Sequence, residues 1–257
     1  TGDCSSTPAF TDVDADGDLD LLLGSKNGSL TFFRNVGNAT APSYAAATGG
    51  DNPFSDISLP ASACSTVGTA AIGGTGLICN SVPAFADIYG DGMPILLVGS
   101  YRRGLHFFRN SGTAAVPKYA SVTGTENPFN GVSVPSTACI NINGDSFPSV
   151  CNVFPAFADV DGDGRIDLVL FPTSKGGVFY WRNVGSTTAP RFEDVTDTVL
   201  NPFRLITVPG GSRPAFADVD GDGIVDLLLG RADGTVTFFR NMGAATAPEF
   251  EEVEDAA

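Results

Sequence analysis

The tripeptide Pro-Ala-Phe occurs four times in this chain, at Pro8, Pro83, Pro155 and Pro214, and each occurrence opens the same grammar. The copies are separated by 75, 72 and 59 residues. Self-similarity at such a period confines a chain to a propeller, a solenoid or a linear array. In every copy a short apolar stretch enters an acidic turn. A second apolar stretch leaves it: residues 21–23, 95–98, 168–170 and 227–229. A turn then leads to a third stretch ending Phe-Phe-Arg-Asn (32–35, 107–110, 238–241) or Tyr-Trp-Arg-Asn (180–183). A fourth follows, as at 190–195. The first three copies add Asn-Pro-Phe, led by Asn52, Asn127 and Asn201, and a short Val- and Leu-rich piece.

No apolar i, i+3, i+4, i+7 pattern persists over a helical length. Short β-branched and aromatic runs bounded by Gly, Pro, Asn and Asp are the signature of strands. Four short strands per repeat is the make-up of a propeller blade. The expected fold is therefore all-β: four propeller-type blades of about four antiparallel strands, with the acidic turn in the first hairpin of each. The repeats fall at about 8–82, 83–154, 155–213 and 214–257, within one repeat domain spanning 1–257. The recurring Phe, Leu and Val positions are expected to fill the space between sheets.

Three of the acidic turns carry the full spacing D-x-D-x-D-G-x-x-D: Asp12, Asp14, Asp16 and Asp20 in loop 1, Asp159, Asp161, Asp163 and Asp167 in loop 3, Asp218, Asp220, Asp222 and Asp226 in loop 4. Alternate residues of a curled loop aim oxygens at one centre, and calcium takes 6–8 oxygen ligands at about 2.3–2.6 Å. A glycine after the third aspartate permits the sharp turn. The seventh position (Asp18, Arg165, Ile224) is expected to offer its backbone carbonyl, which leaves its side chain free to vary. Three Ca2+ sites are expected. Loop 2 (residues 87–95) differs, because Tyr89 stands in the second ligand position and Ile95 in the last. It is expected to keep its shape without calcium or to bind it weakly. The alternative for the three complete loops is an Asx-turn-rich loop that holds no metal.

The formal net charge is −15, with 14 basic residues, which disfavours nucleic acid as a partner. The three complete loops hold five, four and four of the 29 acidic residues, so the acidity is concentrated at the candidate metal sites. No apolar run approaches the ~20 residues of a membrane helix. The chain opens on Thr-Gly-Asp-Cys, which reads like the middle of a repeat.

Copies 1 and 2 exceed copy 3 by 16 and 13 residues, and both insertions precede the next Pro-Ala-Phe. Each carries two cysteines, Cys64 with Cys79 and Cys139 with Cys151. Two local disulfides pinning surface hairpins are expected, which implies an oxidising compartment. A zinc site is the rival reading, but no histidine accompanies them. Cys4 precedes Pro8 by four residues, as Cys79 precedes Pro83 and Cys151 precedes Pro155. It reads as the second cysteine of another such hairpin in a longer array, or as a thiol that is free or pairs between chains.

Runs such as residues 216–230, Phe-Ala-Asp-Val-Asp-Gly-Asp-Gly-Ile-Val-Asp-Leu-Leu-Leu-Gly, resemble the FG-GAP/VCBS repeat family, found in integrin α-subunit heads and several fungal lectins. The resemblance covers all four copies. It implies β-propeller blades with calcium in a hairpin loop, usually in secreted or cell-surface proteins. Family members include adhesion modules, lectins and extracellular structural repeats, so the resemblance speaks to fold and metal more than to function.

Catalysis has little to stand on. The single histidine, His106, occupies a repeated strand position shared with Thr31, Phe179 and Thr237. Arg34, Arg109, Arg182 and Arg240 recur at one place and are expected to pair with carboxylates or carbonyls inside the repeat. Trp181 could stack on a sugar, but its equivalents Phe33, Phe108 and Phe239 favour the core. Asn27 and Asn38 begin N-x-S/T sequons in turns and are candidate glycosylation sites. The expectation is an extracellular or cell-surface, calcium-stabilised repeat module, not an enzyme, that serves protein interaction, adhesion or assembly of a larger surface structure. The alternative is a lectin-like, glycan-binding propeller. The partner is accordingly a protein, a glycan or further copies of the module.

Overall fold

Each acidic turn closes an antiparallel hairpin, and each hairpin grows into a four-stranded sheet. The structure, a computed structural model, describes residues 6–67, 76–102, 104–135, 152–172, 177–209 and 211–253. The first sheet contains β1 (Thr7–Thr11), β2 (Asp20–Gly24), β3 (Leu30–Asn35) and β4 (Tyr44–Ala46), hydrogen-bonded in that order. A small hairpin of β5 (Ser65–Val67) and β6 (Gly76–Ile78) follows. The second sheet is β7 (Val82–Ala86), β8 (Ile95–Gly99), β9 (Leu105–Asn110) and β10 (Tyr119–Ser121). The third is β11 (Val153–Ala158), β12 (Asp167–Pro172), β13 (Phe179–Asn183) and β14 (Phe192–Asp194). The fourth is β15 (Arg213–Ala217), β16 (Asp226–Gly230), β17 (Val236–Asn241) and β18 (Phe250–Glu252). Among the described residues there is no α-helix, only short 3-10 turns. The fold is all-β, built of propeller-type blades, as the repeat grammar requires.

Register is the same in every sheet. The Pro-Ala-Phe phenylalanines sit opposite the first leucine of the second strand: Phe10 with Leu21, Phe85 with Leu96, Phe157 with Leu168, Phe216 with Leu227. At the outer edge, Asn35 pairs Tyr44, Asn110 pairs Tyr119, Asn183 pairs Phe192 and Asn241 pairs Phe250. In the second and third sheets the second strand is covered on both faces, as its continuous apolar run requires. Every residue of β8 and of β12 is buried.

The chain divides into two compact units, Thr1–Gly131 with the first two sheets and Val132–Ala257 with the last two. Inside each unit, the Asn-Pro-Phe turn of the leading blade plugs into the following one. Phe54 stacks on Tyr119 (ring centroids 4.6 Å), and its ring also lies 5.3 Å from Phe32 and 6.0 Å from Phe85. Phe203 repeats this arrangement, stacked on Phe250 at 4.8 Å and close to Tyr180 and Phe216. Both phenylalanines are buried. The asparagine prepares the plug, since its Oδ1 accepts the phenylalanine amide in an Asx turn at Asn52, Asn127 and Asn201.

The disulfide between Cys64 and Cys79 is formed and caps the hairpin of β5 and β6. The strand entry that follows it is tied to the turn between β2 and β3. The amides of Cys79 and Asn80 donate to Lys26 O, and Ser81 N donates to Ser25 O. Gly28 in that turn has φ +88°, and a Cβ there would run into Cys79. The cysteine pair therefore locks one blade to the next. Cys4, Cys139 and Cys151 lie outside the described residues.

Candidate metal centres

Three carboxylates converge in each complete loop: Asp12, Asp14 and Asp20; Asp159, Asp161 and Asp167; Asp218, Asp220 and Asp226. In each set one oxygen per residue lies within 4.8 Å of the others. The first aspartate shapes the turn. Asp12 accepts the amides of Asp16 and Gly17, Asp159 those of Asp163 and Gly164, and Asp218 those of Gly221, Asp222 and Gly223. The last aspartate is buried and pins the loop to the sheet. Asp20 accepts from Val13 N at 3.1 Å and from Asn35 N at 2.8 Å, and Asp226 accepts from Val219 N and Asn241 N in the same way. Asp167 accepts from Val160 N and Asn183 N, and also from the Tyr180 hydroxyl at 2.7 Å.

The second aspartate faces the recurring arginine. Arg34 Nε lies 3.3 Å from Asp14, Arg182 pairs with Asp161 and Asp163, and Arg240 pairs with Asp220. The expectation of intra-repeat partners for these arginines holds. Yet one oxygen of Asp14 and one of Asp161 (each Oδ1) are buried with no hydrogen-bond partner. A buried carboxylate oxygen left unmatched is costly, and here it recurs at the same position of two loops. Burial raises the pKa of Asp14, with Asp16 adding to it and Arg34 opposing it. Asp20 and Asp161 are also raised, chiefly by burial. Asp167 is pushed up to about 7 by burial, against the lowering effect of the Tyr180 and Asn183 donors. The donor set of each cluster is all oxygen, which suits a hard cation such as Ca2+.

The structure does not bring every expected ligand into the clusters. Asp16, Asp163 and Asp222 stand outside the three-carboxylate groups. Instead their Oδ1 atoms accept the amides of Asp18, Arg165 and Ile224, closing the seventh position onto the fifth. Arg165 also pairs with Asp163 through its side chain and donates from Nε to Asn183 O at 2.8 Å.

Loop 2 keeps the turn without the cluster. Asp87 still accepts the amides of Asp91 and Gly92. Where the other loops pair an aspartate with the arginine, Arg109 lies 4.0 Å from the centroid of the Tyr89 ring and reaches Asp91 at 3.4 Å. A cation–π contact thus replaces the carboxylate pair. Ile95, in place of the buried aspartate, is fully buried.

One repeated residue was quoted in the sequence grammar without a role. Asn35 Oδ1 accepts from Gly37 N and Ser43 N, while its own amide donates to Asp20. Asn183 and Asn241 do the same beside Asp167 and Asp226. The asparagine couples the acidic loop to the start of the fourth strand, and its fourfold recurrence was the available signal. His106 lies in β9 with Nε2 3.3 Å from Ser100 Oγ, and burial lowers its pKa. Asn27 and Asn38 are exposed, each side-chain oxygen folded back onto its own turn.

Replacing Tyr180 by Phe, the residue type at the equivalent Phe32, Phe107 and Phe238, removes one donor from buried Asp167. The expected loss is about 1.5–3 kcal/mol, the usual worth of a hydrogen bond to a charged group, read from urea unfolding in chelator. An unchanged midpoint would mean that Asp167 is satisfied by its two amides alone.

Fold and site together define a propeller-type repeat protein with acidic hairpin loops. Residues 159–229, which hold loops 3 and 4, match the model of the FG-GAP-like repeat. No curated protein matches it. Among solved structures, a lectin from Agrocybe aegerita, described as recognising non-reducing terminal N-acetylglucosamine, aligns with 18% identity and a TM-score of 0.44 over 98% of this chain and 52% of that one. The Tc holotoxin pore of Photorhabdus luminescens aligns with 18% identity and a TM-score of 0.38, over 98% of this chain and 9% of that one. The chain thus spans about half the length of the first and under a tenth of the second. Neither likeness is close enough to transfer a ligand.

Proposed function

We propose that this chain is a calcium-stabilised module of an extracellular or cell-surface protein that works by displaying surfaces for interaction, adhesion or assembly, and carries out no chemistry of its own. One Ca2+ would be held in each of loops 1, 3 and 4, by Asp12, Asp14 and Asp20, by Asp159, Asp161 and Asp167, and by Asp218, Asp220 and Asp226. The fifth-position aspartates and seventh-position carbonyls would complete the oxygen set. The ion's contribution there is charge neutralisation and cross-linking of two strands. The observation that carries this reading is the pair of buried, unmatched oxygens on Asp14 and Asp161, placed where two other carboxylates converge. The Cys64–Cys79 disulfide supports an oxidising compartment. Among the described residues no helix is long and apolar enough to cross a membrane.

Isothermal titration of Ca2+ into chelator-stripped protein is expected to give three sites, falling to two in Asp161→Asn. No binding, or a stoichiometry unchanged by that substitution, would overturn the assignment.

A second reading, carbohydrate binding, is favoured by a cavity of about 600 Å3 in the second unit. Its lining combines Asp161, Arg182, Arg204 and Glu249 with Val199, Leu200 and Leu205, polar groups beside apolar side chains of the kind a sugar needs. A glycan array with no hits in calcium would remove it.

A further inference from the structure

The aromatic plug that joins blades within each unit has a third socket, and that socket is open. In the filled cases the socket is a first-strand phenylalanine and a fourth-strand aromatic: Phe85 with Tyr119, and Phe216 with Phe250. The first blade carries the same pair, Phe10 and Tyr44, at the same register. Its geometry is already that of a filled socket. Phe10 and Tyr44 meet edge to face at 6.3 Å and 63°, as Phe85 and Tyr119 do at 6.3 Å and 69°. Tyr44 donates its hydroxyl to Leu19 O, as Tyr119 donates to Pro94 O. The difference is cover. Tyr119 is 1% exposed and Phe250 9%, whereas Tyr44 is 41% and Phe10 52% exposed. Leu19, at 56%, extends the bare patch.

We propose that the Phe10–Tyr44 face of the first blade is a docking site for the Asn-Pro-Phe turn of a further repeat of this kind, outside residues 1–257. Two filled copies inside the molecule specify the occupant. Its phenylalanine stacks on the Tyr44 ring and abuts Phe10. Its proline carbonyl accepts from the Tyr44 amide, as Pro53 O accepts from Tyr119 N at 2.9 Å. The Asx turn presents the ring ready-formed, which lowers the entropy lost on docking. The chain's own three turns are committed elsewhere: Phe54, Phe129 and Phe203 are all buried. A second copy therefore has no plug to lend without opening its own core. The site makes this module one link in a row of blades. It specifies the partner in the assembly reading above and is independent of the metal.

The test titrates 15N-labelled protein with a synthetic peptide of residues 48–59 (Thr-Gly-Gly-Asp-Asn-Pro-Phe-Ser-Asp-Ile-Ser-Leu), followed by amide chemical shifts, in calcium and in chelator. One aromatic anchor and one hydrogen bond supply an affinity of about 1 mM. Shifts are expected at Leu19, Phe10 and Tyr44, weakened at least about tenfold when the peptide phenylalanine is Ala, and equally when the protein carries Phe10→Ala. Phe10 is exposed, so that variant folds. Absence of shifts at several times that concentration, or shifts surviving both substitutions, would overturn the proposal. So would concentration-dependent dimerisation abolished by Phe10→Ala without any peptide binding, which would assign the face to a second copy. A null peptide titration alongside intact calcium binding rejects the docking site alone; the converse pair rejects the metal reading alone.

Discussion

Saturating calcium is expected to raise the melting temperature of residues 132–257 by about twice as much as that of residues 1–131. The asymmetry follows from where the complete loops fall. The second unit holds loops 3 and 4, both with three converging carboxylates, while the first holds loop 1 and the ligand-poor loop 2. A ligand that binds only the folded state stabilises by RT ln(1 + [L]/Kd), about 4 kcal/mol per site at a thousandfold excess over Kd. For units of this size that corresponds to roughly 10 °C or more per occupied loop. Calorimetry resolves the two transitions. Trp181, the only tryptophan, reports the second unit by fluorescence. Equal shifts would mean that loop 2 binds calcium despite Tyr89 and Ile95. No shift in either unit would mean that the arginines already supply all the positive charge the loops require.

That last outcome has a physical basis in the pairs themselves. Arg34, Arg182 and Arg240 reach the second aspartate of their loops, and in loop 2 Arg109 stacks on the tyrosine that replaced it. The arginine is thus a fixed cation beside each turn whether or not a metal is held. Where the aspartate has gone, the cation finds a π face, and the turn is held by Asp87, which accepts two amides, and by Asp91, which accepts the Met93 amide. A bound metal would contribute only at the oxygens that no donor in the chain reaches.

How legible the molecule was depends on whether a signal is local. Period, strand content and loop spacing are carried by consecutive residues, so the four sheets start at Thr7, Val82, Val153 and Arg213, within two residues of the Pro-Ala-Phe marks. The Cys64–Cys79 bridge was legible because both cysteines lie in one insertion. The division of labour among the aspartates was not. D-x-D-x-D spacing cannot tell a carboxylate aimed at the centre, such as Asp14, from one that caps the next amide, such as Asp16. The Asn-Pro-Phe element was visible as a repeat but silent about its role, since its partners Tyr119 and Phe250 lie a whole blade away in sequence.

Phe203→Ala is expected to destabilise the second unit by about 3–5 kcal/mol, as much as any core truncation. Phe203 is fully buried among Tyr180, Phe216 and Phe250, one residue bridging two sheets. Losing its ring removes three aromatic contacts, each worth about 0.5–1.5 kcal/mol beyond area burial, and opens a cavity that two rigid sheets cannot close. Leucine at the same place keeps most of the volume and should cost much less, about 1.5 kcal/mol. Urea unfolding followed by Trp181 fluorescence reads both, with the alanine midpoint lower by about 2 M at slopes typical for this size. Phe54→Ala should do the same to the first unit, while Phe10→Ala, the same residue type in the open socket, should cost little because its ring is half in water. If all three alanine variants unfold alike, the plug adds nothing beyond bulk hydrophobicity. If only the two buried ones fall, a single phenylalanine per repeat fastens blade to blade, and the acidic loop sets the hairpin against which that fastening is made.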